Sequence, residues 1–215
     1  MHVHALGLRY RSQALRWSGY YERSLILSEQ AATLTATYGL TNEASILAIQ
    51  TGFLHLDLGD VARATKAVSL ARASSAQGNK ERAIALWHLE ARTLMQANAI
   101  PQAHALLVSN QEDILSDPLL KRKASAAAML AFTSSVAGDT RMAVAMLDIA
   151  KSVISTENPS LQLDFPCDTA IAALLNLGRD DESIALSHDY CERRRKAFPV
   201  RLAPAFKHLV GGWES

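Results

Sequence analysis

Apolar positions recur along this chain at helical spacing. Leu25, Leu27, Ala31 and Leu34 do so within 20–38, Val61, Ala64, Val68 and Ala71 form one stripe within 60–76, and Val144, Leu147 and Ala150 share a face within 141–154. Nowhere does a β-branched, alternating run of six appear, so the pattern predicts an all-α chain. The helices it predicts are 6–17, 20–38, 43–57, 60–76, 80–96, 99–114, 119–137, 141–154, 163–177 and 180–196, with a last one over 202–210. Thr41 is placed to cap the third, ahead of the acidic first turn at Glu43. Pro101 falls in the first turn of the sixth, where a missing amide is harmless. The strongest break is Thr156-Glu157-Asn158-Pro159.

The breaks between helices repeat. Leu58-Gly59-Asp60-Val61-Ala62-Arg63-Ala64 has near-copies beginning at Ser18, Ala137 and Leu177, and a weaker one beginning at Ala97. Their turn residues, Gly19, Gly59, Asn98, Gly138 and Gly178, are 40, 39, 40 and 40 positions apart. A fixed period of that size marks an array of stacked units. Glycine, with asparagine second, tolerates the left-handed conformation that ends a helix. Five positions after each turn residue stands Ser24, Ala64, Ala103, Ala143 or Ser183, small enough for two helices to cross closely. The expected organisation is one elongated domain of five helical hairpins, 5–39, 41–78, 79–115, 117–157 and 160–197, with the helix at 202–210 covering the end of the stack.

Composition narrows the function. Hydrophobic residues make up 49%, enough for a continuous core, and 22 basic residues nearly cancel 21 acidic ones, so no overall field argues for nucleic acid or an anionic membrane. No apolar run approaches the roughly 18 to 20 residues that span a bilayer, and the first residues lack a signal-peptide pattern, so a cytoplasmic protein is expected. Cys167 and Cys191 match no metal spacing and are read as reduced thiols. The seven histidines form no HExxH pattern, and the glycines are isolated at turns rather than gathered into a phosphate loop. No metal, cofactor or catalytic residue is assigned. The one dense basic run, Arg193-Arg194-Arg195-Lys196, is read first as the last turn of a helix, where cations suit the dipole, and second as a docking patch.

The units resemble tetratricopeptide repeats, helical hairpins whose turn reads Gly-Asp-x-x-x-Ala, best matched by Gly59-Asp60-Val61-Ala62-Arg63-Ala64 and Gly138-Asp139-Thr140-Arg141-Met142-Ala143. Family-like small residues stand at Gly52, Ala91 and Ala131 and at Ala31, Ala71 and Ala150. The chain departs from the family in period, 40 against about 34, and at Asn110 and Tyr190, where a small residue is expected. Longer-period relatives of similar pattern are the sensor domains of bacterial transcription regulators and the kinesin light chain.

The resemblance implies a right-handed superhelix with a concave face lined by the first helix of each unit. Carried onto this chain, the partner-binding positions are Arg9, Gln13, Arg16 and Trp17; Phe53 and Asp57; His88, Arg92 and Gln96; and Phe132, with Asp168 among the further inward positions. Arginines beside aromatics suit an extended acidic or carboxylate-ended peptide, and Arg9, Arg16, His88 and Arg92 are expected to converge. The expected function is a protein- or peptide-binding scaffold without catalysis or direct nucleic-acid contact. The alternatives are a ligand-sensing or self-associating module of a transcription regulator and, last, an enzyme with its site in the concave face.

Overall fold

The chain forms eleven helices in a computed structural model that describes residues 2–74, 79–157 and 161–197, and no strand occurs among the described residues. In order they are α1 (His2–Trp17), α2 (Tyr21–Thr37), α3 (Thr41–Asp57), α4 (Val61–Ser74), α5 (Lys80–Gln96), α6 (Ile100–Ser109), α7 (Gln111–Leu115), α8 (Leu120–Val136), α9 (Thr140–Thr156), α10 (Leu161–Asn176) and α11 (Asp180–Ala197). The helix expected over 202–210 lies outside the described residues.

The repeated turns are alike in geometry as well as in sequence. Gly59 has φ +77 and Asn98 has φ +59, and the other three turn residues also lie in the left-handed region. At the second turn the Gly59 amide donates to Leu56 O (3.1 Å) and the Asp60 amide to His55 O (2.8 Å), which satisfies the last carbonyls of α3. The fourth turn repeats both bonds, from Gly138 to Ser135 O and from Asp139 to Ser134 O. Asp139 then accepts from the Met142 amide at 3.0 Å and so caps α9.

Two local expectations need correction. Residues 99–114 are not one helix, because the chain breaks at Asn110, where φ is −119. The Asn110 side chain donates to Leu106 O (2.8 Å), so a side-chain amide takes a carbonyl that a continuing helix would use. Thr41 is not a cap: it is already helical, and the N-cap is Leu40, which makes no side-chain bond.

Successive helices pack on one another from α1 to α6 and from α8 to α11, and α3 also meets α5, α5 meets α8, and α8 meets α10. The small residues sit at these crossings: Ser24, Ala64, Ala103, Ala143 and Ser183 are all buried, and Ala126, Ala127, Ala128 and Ala131 bring α8 close to its neighbours. The core has a large cluster around α8, α9 and α10, centred on Leu130, Leu147 and Leu174, and a smaller one around α3, α4 and α5 with Leu56 and Leu89. In the first hairpin the crossing is polar instead. Ser12 and Ser24 bond each other's main-chain oxygens at 2.9 and 2.7 Å, so two buried hydroxyls are satisfied where larger side chains have no room. Among the described residues no helix is long and apolar enough to cross a membrane.

Candidate functional site

Helices α1, α3, α5, α8 and α10 contribute walls to one cavity of about 890 Å³. In the expected division into five hairpins these are the first helices of the units. Asp57, at the end of α3, is part of the cavity's lining. The carboxylate accepts from Arg16 Nε of α1 at 2.7 Å and from Arg92 Nη2 of α5 at 2.9 Å, so one anion joins three hairpins. Each guanidinium also lies over an aromatic ring, Arg16 over Phe53 (5.2 Å to the centroid) and Arg92 over Phe165 of α10 (4.2 Å). Burial pulls the Arg92 pKa below its ordinary value, with Asp57 opposing the shift.

Of the expected partner-binding residues, Gln13, Arg16, Trp17, Phe53, Asp57, His88 and Arg92 line this cavity. Three do not. Arg9 pairs with Glu43 at 3.5 Å and covers the Tyr10 ring, Gln96 is exposed and reaches Leu56 O at 3.5 Å, and Phe132 packs half-buried against the large core cluster. The expected convergence of four basic groups therefore reduces to Arg16 and Arg92 meeting on Asp57. His88 contributes no charge there: it is 4% exposed, and burial lowers its pKa to about 4, with Asp117 pulling it up and Arg122 pushing it down.

The pairing bears on what the cavity can hold. A carboxylate arriving at Arg16 and Arg92 meets a site that already holds the carboxylate of Asp57, whose side chain is 12% exposed, and displacing it is costly. Stripping a buried ion of its partner costs about 3 to 5 kcal/mol, whereas a solvent-exposed pair returns about 1 or less. The arginine pair is thus a structural clamp. The other charged anchor is Asp117, whose side chain is fully buried in the link before α8; it accepts from the Leu119 amide (2.9 Å) and pairs with Arg122 (2.6 Å). The basic run of α11 is engaged in the same way. Arg193 donates to Ile154 O (2.7 Å) and Glu157 O (3.2 Å), and Arg194 pairs with Asp164.

Periodicity had not singled out Tyr21, Asp164 or Phe165 as cavity residues. Phe165 and Asp164 lie one turn before Asp168 on α10, so the phase that placed Asp168 inward also holds their signal. Cys167, beside them, faces the core, and burial pushes its thiol up to about 12, which leaves it unreactive. No group of three metal-ligating side chains occurs among the described residues.

His88 carries a pH signature. In the window from about 6.5 down to about 4 the unfolded chain binds a proton there that the folded chain does not, so folding stability falls as pH falls through it. Urea melts at pH 7.5 and 5.5 are expected to show this loss in the wild type and a smaller one in His88→Gln; equal losses would contradict the assignment. No family model matches the sequence, and no curated protein matches it either.

Proposed function

We propose that the chain is a tetratricopeptide-like right-handed superhelix whose inner face binds a peptide segment of another protein, without catalysis. The observation that carries this reading is that α1, α3, α5, α8 and α10, the first helices of successive hairpins, all open onto one cavity of about 890 Å³. That volume lies in the range of sites that take several side chains, and its walls mix apolar groups such as Ile49, Phe53 and Leu120 with a few fixed polar ones. The clamp at Asp57 supports the reading from the energetic side. It holds three hairpins in register before any partner arrives, which lowers the ordering cost of binding. A cytoplasmic setting suits the proposal, since the buried Cys167 stays reduced there.

Panning a display library of random 12-residue peptides against the full chain tests it. Peptides enriched on the wild type are expected to bind at least about tenfold more weakly to Ser125→Trp, which fills the cavity from α8. They should bind unchanged to Ile184→Asp, at an exposed position of α11 off the cavity. Binding that survives the first change and is abolished by the second would put the surface elsewhere, and a library yielding no enriched peptide would end the peptide reading.

A further inference from the structure

Most ionised groups around the cavity are already matched. Asp57 holds Arg16 and Arg92, Asp117 holds Arg122, and Asp164 is engaged by Arg194 and by the Tyr190 hydroxyl (2.8 Å). Among the described residues the Arg82 side chain bonds only the neutral Asn42 (3.4 Å) and keeps its charge, and Glu81 occupies the first turn of α5, where the helix dipole favours an anion. Asp168 differs. It lines the cavity from α10 and has no hydrogen bond or ion pair among the described residues. Its carboxyl stays open to the lumen, but the protein around it raises its pKa and no cation offsets the effect. Glu157, at the C-cap of α9, adds a second carboxylate to the same wall.

An independent observation marks the same cavity as a ligand site. His88 lies on its wall, is only 4% exposed, and its Nε2 has no hydrogen-bond partner among the described residues. A buried polar atom left unpaired is costly, and a ligand that pairs with it recovers that cost. Being neutral at pH 7, the imidazole adds no repulsion toward a cation.

Resting on the peptide-groove reading above, we infer that the bound segment is recognised through a Lys or Arg side chain whose cation pairs with Asp168. The aliphatic stem of such a side chain matches the apolar part of the wall, where Phe165, Leu119 and Leu120 stand. At Arg16 and Arg92 an acidic segment would compete with Asp57.

The test uses capped decapeptide pools in which one central position is Lys, Arg, Gln or Glu and the others are uncharged random residues. Retention on the immobilised full chain is measured for the wild type, Asp168→Asn and Asp168→Lys. The Lys and Arg pools are expected to be retained about tenfold better than the Gln and Glu pools by the wild type. The preference should vanish in Asp168→Asn and turn toward Glu in Asp168→Lys. Because folding raises the carboxyl's pKa, the asparagine variant is expected to melt no lower than the wild type at pH 7, so lost preference cannot be ascribed to unfolding. Retention without charge preference, or with the same preference in all three proteins, overturns the role of Asp168 and leaves the groove standing. Retention of no pool by the wild type overturns both.

Discussion

Replacing Asp57 with alanine is expected to lower the unfolding free energy by about 2 to 4 kcal/mol, far more than the loss of a surface carboxylate. The reason lies in what remains. Arg92, its side chain 13% exposed, and Arg16, its side chain 23% exposed, keep their charges with no anion between them. Burial already opposes the charge of Arg92, and Asp57 is the main counterweight. Two cations that shared one carboxylate then also repel each other. The estimate sits below the full range for a buried pair because Arg16 is partly solvated. A double-mutant cycle with Arg92→Met distinguishes the clamp from simple packing: the double variant is expected to be more stable than Asp57→Ala alone. If Arg92→Met adds its own cost in full, the clamp carries no coupling.

Gly52→Val is expected to cost roughly 3 kcal/mol, read as a shift of the urea midpoint at unchanged slope. Glycine inside a helix ordinarily costs about 1 kcal/mol relative to alanine, so an exposed Gly52 would be improved by any side chain. Here a Cβ would stand 2.5 Å from Leu89 Cδ2, 3.0 Å from its Cδ1 and 3.1 Å from Ala67 Cβ. Leu89 is fully buried in the cluster between α3 and α5 and has little freedom to rotate away. For Gly52→Ala the propensity gain offsets only part of the crowding. Valine adds two further methyls and leaves crowding as the only large effect.

These two positions also show what the sequence made legible. Gly52 belonged to a repeated pattern of small residues, and a pattern set by helix crossing is local enough to read from spacing. The same holds for Gly59, Asn98 and the alanines five positions after the turns, which geometry requires in every unit. Asp57, Arg16 and Arg92 were legible only as inward positions. Which anion meets which cation depends on side chains 35 and 41 residues apart, and periodicity holds no information on that choice. The expectation of an acidic partner rests on the arginines, and spacing does not show that two of them meet Asp57. Asn110 was read through as helix because its apolar neighbours keep helical spacing, whereas a side-chain bond to Leu106 O decides the break. Phe165 and Asp164 were missed because they directly follow the strongest break in the chain, where the phase of the next helix is hardest to set.

The measurement closest to the central claim is site-specific photo-crosslinking. A benzophenone amino acid placed at Leu120, on the cavity wall and half exposed, is compared with one at Ile184 on α11, using the peptide most enriched by panning. The account predicts a covalent peptide adduct from position 120 and none from position 184. An adduct at 184 with none at 120 would contradict it.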